Sequence, residues 1–198
     1  MADEYSQAGQ DKFVLSLAKT DLDPNHYFVD IGCWLPITLN NTMLLEENSW
    51  KGVSLDISDM YADWTSRKTP FVQADALTMD YALLFKNTGL PHFIDYLNVD
   101  IEGTGMRFQA LKKVFESGHE FGIITIEHDA YRGLTESEMV PQREFLSEKG
   151  YRLVCASVCL GGNPFEDWWV NTKFYKDSEY EHLLSNNEEA SAIIAKLK

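Results

Sequence analysis

Seven short runs rich in β-branched and aromatic residues recur along the chain, and stretches long enough to cross back over a sheet separate the first five. A parallel neighbour can be reached only by such a crossover, so the alternation restricts the chain to an α/β architecture with helices on both faces of a mostly parallel sheet. The runs predict strands near 27–31, 52–56, 70–73, 94–99, 121–127, 151–158 and 167–174. Helical pattern covers 7–19, 39–47, 78–87, 104–117 and 136–149, and Gly118 and Gly150 stand where helices would end. Only Gly161-Gly162-Asn163-Pro164 separates the last two runs, which therefore read as an antiparallel hairpin. The expectation is a seven-stranded sheet in a single domain over 1–198, with its core at about 6–175 and a tail, 176–198, that is acidic, then Ala/Ile-rich, and forms a surface helix.

Composition narrows the function. The chain has 198 residues, 44% apolar and 24% charged, the usage of an ordinary folded protein. Its formal net charge of −14 presents phosphates with a repulsive average field, so no nucleic-acid partner is expected. The densest basic clusters, Arg67-Lys68 and Lys112-Lys113, read as solvated faces. Cys33, Cys155 and Cys159 lack metal-type spacing and are odd in number, which fits reduced thiols, the latter two in the core. No apolar run is long enough to cross a bilayer, and Met1-Ala2-Asp3-Glu4-Tyr5 begins no signal peptide, so a cytoplasmic protein with no membrane partner is expected.

Open α/β sheets bind ligands at the carboxyl ends of their strands. Here the first four predicted strands each deliver a carboxylate at that edge: Asp30 before Gly32, Asp56, Asp75 before Ala76, and Asp100 before Glu102. A dinucleotide would need further glycines after Gly32, so that backbone amides could approach a pyrophosphate. The loop is instead Gly32-Cys33-Trp34-Leu35-Pro36-Ile37-Thr38, with a bulky indole and a residue lacking an amide proton, which disfavours a nicotinamide oxidoreductase. S-adenosylmethionine carries no phosphate but offers a ribose diol, an adenine amino group and an ammonium, donors that carboxylates receive.

Several segments, in order, carry a family likeness. Ser6-Gln7-Ala8-Gly9-Gln10-Asp11-Lys12-Phe13-Val14, Phe28-Val29-Asp30-Ile31-Gly32, Asn41-Thr42-Met43-Leu44-Leu45-Glu46 and Trp50-Lys51-Gly52-Val53 open it. Ile94-Asp95-Tyr96-Leu97-Asn98-Val99-Asp100-Ile101-Glu102-Gly103, Ile126-Glu127-His128 and Glu148-Lys149-Gly150-Tyr151-Arg152-Leu153 continue it. Over residues 6 to 175 the chain resembles the FkbM-like S-adenosylmethionine-dependent methyltransferases. The resemblance implies the Rossmann-like methyltransferase fold, whose sheet ends in an antiparallel hairpin, and methyl transfer to an oxygen of a carbohydrate or other small molecule. Two places depart from the family pattern. Leu35-Pro36 replaces an acid followed by glycine, and Asp56-Ile57 stands where Glu-Pro is common.

The resemblance also implies roles. Asp56 receives the ribose hydroxyls, Asp75 and the Ala76 amide face the adenine edge, Asp30 and Gly32 shape the loop around the methionine moiety, and Asp100 joins them. Asp75 reads equally well as a helix cap, whereas Ser58 and Asp59 offer caps in place of Asp56. A hydroxyl acceptor profits from a base, for which His128, Glu102 and Asp100 are the candidates. Asp100, Glu102, His128 and Asp129 carry metal-ligand atoms, but their spacing is not diagnostic and no metal is assigned. His26, His92, His119 and His182 read as surface or helix-flank residues. With no lid segment in view, the acceptor pocket is either shallow or completed by a second copy of the chain. A non-catalytic member of the same fold, binding a cofactor or partner, is the alternative reading, with Leu35-Pro36 as its trace.

Overall fold

The computed structural model describes residues 5–19, 25–58, 63–133 and 138–197. Asp59, one of the two alternative caps named above, lies outside them, as do residues 136 and 137 of the helix expected from 136. In chain order the elements are α1 (Gln10–Leu17), β1 (Tyr27–Ile31), α2 (Met43–Glu47), β2 (Lys51–Asp56), β3 (Phe71–Gln73), α3 (Tyr81–Thr88) and β4 (Phe93–Val99). There follow α4 (Met106–Phe115), β5 (Glu120–Glu127), α5 (Met139–Glu148), β6 (Tyr151–Leu160), β7 (Asn163–Asn171), α6 (Asp177–Tyr180), β8 (Ser185–Asn186) and α7 (Ala190–Ile194).

One eight-stranded sheet runs in the order β3-β2-β1-β4-β5-β7-β6-β8. The pairs β1–β2, β2–β3, β1–β4 and β4–β5 are parallel, while β7 lies antiparallel between β5 and β6. After β3 the chain returns past β1 to lay down β4 on its other side. Connections therefore diverge at the carboxyl ends of β1 and β4, the crevice where such sheets take ligands. Phe13, Phe28, Tyr96 and Trp168 pack on the α1 face, and Val53, Leu97, Leu111 and Phe121 on the other. Burial on both faces explains why the central strands read as nearly continuous apolar runs.

Local chemistry sets the boundaries. Asp80 caps α3 by accepting from the Leu83 amide, and Gly89 at φ 71° ends it. The hairpin begins earlier than expected, at Asn163 and not 167, because Gly161 and Gly162, at φ 60° and 81°, make the turn alone. Its second strand ends at Asn171 instead of running to 174. The helix expected over 39–47 is only Met43–Glu47, since Asn40 turns its side chain to the Cys33 and Leu35 carbonyls. The tail is not one helix: Ser185–Asn186 pairs with Cys155 and Ala156 of β6 and adds the eighth strand. Among the described residues, no helix is long and apolar enough to cross a membrane.

Candidate functional site

The strand registers place the site. Ile31 pairs with Leu55 and with Val99, Val99 with Ile126, and Glu127 with Glu166. One residue beyond the first three pairs, Asp56, Gly32, Asp100 and Glu127 continue the line to Glu166, so these five form one transverse row at the carboxyl edge. Beneath it lies a second row, Ser54, Asp30, Asn98, Thr125 and Trp168. Asn98 Nδ2 donates to Asp30 Oδ1 at 2.9 Å, Thr125 Oγ1 donates to Asn98 Oδ1 at 2.8 Å, and Tyr96 Oη lies 2.7 Å from Thr125 Oγ1. This bonded polar layer fixes the strand ends that carry the acids above it.

Gly32 holds φ 84°, and a Cβ built on it would stand 1.8 Å from the Asp100 carbonyl oxygen. The absence of a side chain is what lets the chain leave β1 across the end of β4. Asp30 is fully buried, accepting from Asn98 and from Thr42 Oγ1 at 2.9 Å, and burial lifts its carboxyl above the usual range. It supports the loop from beneath. Asp56 stays at the edge, its Oδ2 accepting from the Trp34 amide and its Oδ1 from the Ser58 amide, both at 2.9 Å. Each oxygen keeps acceptor capacity for a further donor. Asp75 Oδ1 accepts from the Leu77 amide at 2.8 Å, forming a turn ahead of α3 and leaving the cap to Asp80. Ala76 is buried beside it, its carbonyl accepting from Tyr81 Oη at 3.0 Å.

On the other half of the edge, Asp100 and Glu127 hydrogen-bond to each other. Burial holds both above the ordinary carboxylate range, joined at Glu127 by the charge of Asp100 and at Asp100 by that of Glu166. Arg107, buried at the start of α4, donates to Glu127 and, at 2.8 Å, to Asp129 Oδ2. Glu166, buried next along the row, accepts from Trp168 Nε1 at 2.7 Å and is pushed up to about 8 by burial. Glu102 stands at the rim, with 87% of its side chain exposed and Arg132 3.9 Å away.

His128 is fully buried. Its Nδ1 accepts from the Ala130 amide at 3.1 Å, which leaves the proton on Nε2, 3.4 Å from Asp167 Oδ1. Burial alone would raise the Asp167 carboxyl, but bonds from Arg143 and then the nearby His128 imidazole hold it below its usual range. That position lends no support to His128 as a base meeting an acceptor hydroxyl. Arg67 is not on a solvated face: it is 8% exposed and bonded into the loop after β1. His26 is also more engaged than expected, lying 2.9 Å from Asp95 Oδ1 and stacked on Trp50. Sequence reasoning assigned no role to Glu127, Glu166, Arg107 or Arg67. Glu127 could have been found by carrying the row of strand-end acids one strand further, whereas Glu166 was hidden because the hairpin was placed too late in the chain.

The residues fit the donor-rich cofactor considered above, with carboxylates at both halves of the edge and a glycine between them. Among the described residues, no group of three or more His, Cys, Asp or Glu side chains is arranged to hold a metal.

No protein-family model matches the chain, and no curated protein matches it significantly. Solved structures do. An O-methyltransferase from Bacillus cereus in complex with SAH is 16% identical with a TM-score of 0.53, over 86% of this chain and 84% of that one. A putative tRNA (m1A22) methyltransferase from Streptococcus pneumoniae, in complex with S-adenosyl-L-methionine, is 11% identical with a TM-score of 0.51, over 90% and 79%. An rRNA methylase from Streptococcus thermophilus is 13% identical with a TM-score of 0.50, over 86% and 98%. The last two correct the expectation that excluded nucleic acid: proteins named for RNA share this fold, and a net charge averages over a whole surface without describing any one face of it. The chain has the Rossmann-like methyltransferase fold, an α/β sheet with helices on both faces closed by an antiparallel hairpin.

Proposed function

We propose that this protein is an S-adenosylmethionine-dependent methyltransferase of FkbM-like type, acting on an oxygen of a small molecule or carbohydrate. The observation that carries the reading is the transverse row Asp56, Gly32, Asp100 and Glu127 at the point where the sheet connections diverge. Asp56 receives the ribose hydroxyls, Asp75 and Ala76 flank the adenine, and Gly32, supported by Asp30, gives room for the methionine end. When bound, the cofactor supplies a methyl group on an already activated sulfonium, so the chain's own task is to place the acceptor in line and take up its proton. Asp100 and Glu127 are the residues for that proton, with Glu102 at the rim. A carboxyl pair that shares one proton holds a donor and an acceptor side by side, which suits a hydroxyl that must be oriented and then deprotonated.

The engagement of both Asp56 oxygens by loop amides favours one second reading, a fold that binds cofactor or partner without turnover. Calorimetric titration with S-adenosylmethionine, S-adenosylhomocysteine and NAD tests the first step. The first two should bind and NAD should not. No binding of either adenosyl compound would overturn the proposal, and binding without transfer to any hydroxylated acceptor would favour the second reading.

A further inference from the structure

The loop from Gly32 to Thr42 is held in an uncommon shape. Besides Gly32, Trp34 and Leu39 adopt left-handed backbone angles, φ 46° and 55°. Such angles strain residues other than glycine and persist only where surrounding bonds over-determine them. The side chains of Trp34, Ile37 and Leu39 are exposed while Cys33 packs into the core, so hydrogen bonds supply much of that hold. Its amides bond at both ends, Gly32 and Cys33 to the Leu55 carbonyl, Trp34 to Asp56 and Asn40 to the Tyr5 carbonyl, and its middle is held by the side chains of Asn40 and of a residue far away in sequence, Arg67.

Arg67 reaches across from the segment before β3. Its Nη1 donates to the Pro36 carbonyl at 2.8 Å and to Asn40 Oδ1 at 3.0 Å, and its Nη2 donates to Thr42 Oγ1 at 3.1 Å. Thr42 in turn donates to the buried Asp30, and Asn40 Nδ2 donates to the Leu35 carbonyl at 2.8 Å. The guanidinium is itself aimed by Glu46 of α2, whose Oε2 accepts from Arg67 Nε at 3.1 Å. The same carboxylate accepts from the Lys68 amide at 2.7 Å and the Thr69 amide at 3.0 Å. One buried fork thus ties the loop after β1 to the approach to β3, and only a planar multi-donor group can make all of these bonds at once.

Resting on the methyltransferase reading, we infer that Arg67 is the positioning residue of the cofactor edge: through the Pro36 carbonyl and Asn40 it holds the strained loop so that the Trp34 amide stays on Asp56. In this chain the guanidinium does from outside the loop what a flexible glycine would do within it. The bonds go to carbonyls and to Asn40 and Thr42, so the loop tolerates Leu35 and Pro36 without losing its place.

The test compares wild type with Arg67→Lys, which keeps the charge but loses the fork, and reads two quantities well below the melting temperature. One is the dissociation constant for S-adenosylmethionine. The other is hydrogen exchange of the Trp34 amide, with the Leu97 amide in β4 as an internal reference. Arg67→Lys should weaken cofactor binding about tenfold or more, the loss that one to two misplaced hydrogen bonds represents. It should also speed exchange at Trp34 about tenfold while leaving Leu97 unchanged. A general loss of stability would move both amides together and leave the affinity of the folded protein intact, and that result overturns the inference. So does a folded variant in which neither quantity changes. If Arg67→Lys fails to fold, Asn40→Ser decides by the same readouts in the same direction, since it removes the loop's inner bonds and leaves Arg67 paired with Glu46. If the wild type does not bind S-adenosylmethionine, the functional reading fails separately. Trp34 exchange in the variant then still supports or overturns the hold of Arg67 on the loop.

Discussion

Glu127 at the end of β5 hydrogen-bonds Asp100 at the end of β4, while Arg107 donates to the same Glu127 carboxylate. Two acids and one cation therefore meet on the β4–β5 half of the edge, where Asp129 and Glu166 add further negative charge and Asp30 lies one row beneath. Such a group retains a proton that isolated carboxylates would have released.

That retention makes stability depend on pH with a definite sign. A carboxyl pair whose folded-state affinity for protons is raised binds more protons folded than unfolded, so stability is full below the unfolded range, about pH 4, and falls as pH rises toward the raised range. Glu166, pushed up to about 8, acts in the same direction. Glu127→Gln mimics the protonated acid. The gap in melting temperature between wild type and Glu127→Gln should move in favour of the variant between about pH 5 and pH 8. A gap that stays constant across that window would mean that Glu127 is ionised throughout.

Asp56→Ala removes both the proposed ribose acceptor and the anchor of the Trp34 and Ser58 amides. At ~1.5 kcal/mol for each of two charge-assisted bonds to the cofactor, the loss is about 3 kcal/mol, or roughly a hundredfold in dissociation constant. Titration of the folded variant checks it, and unchanged affinity would take Asp56 out of the site.

His128→Ala should register in stability first. The Ala130 amide loses its acceptor in a part-buried setting, and the fully buried Asp167 loses a neighbour 3.4 Å away. The expected cost is ~1–3 kcal/mol in denaturant unfolding, with turnover of the folded protein reduced less than tenfold. A variant as stable as wild type but a hundredfold slower would restore the histidine to the reaction.

Leu35→Asp combined with Pro36→Gly should tighten cofactor binding, by placing an acid and a more approachable backbone beside the ammonium-bearing end. The Arg67 and Asn40 bonds go to the carbonyls of these two residues and survive the exchange. Losing proline adds unfolded-state freedom, so the melting temperature should fall by the equivalent of ~0.4–1 kcal/mol. Equal affinity in the two proteins would show that Leu35-Pro36 already serves as well as the acid-glycine pair.

The alternation of apolar runs with helical stretches determined the layered sheet by itself, since backbone hydrogen bonding and burial on two faces leave few other solutions. Asp56 and Asp100 could likewise be placed at one edge from strand ends alone, because periodicity registers where each strand stops, whereas Asp30 lies a row beneath and Asp75 in the turn after β3. Short pieces escaped it. Two residues, Ser185 and Asn186, make β8 only because the edge of β6 is there to pair with. The roles of side chains depended on contacts between residues far apart in sequence. Arg67 lies 31 positions from Pro36, so nothing local marks it as buried rather than solvated. His128 follows a strand-end glutamate, yet faces Asp167 because the hairpin brings β7 alongside β5. Asp100 and Glu127 meet because the register of β4 on β5 sets them side by side, a relation that strand pairing creates and that no single segment contains.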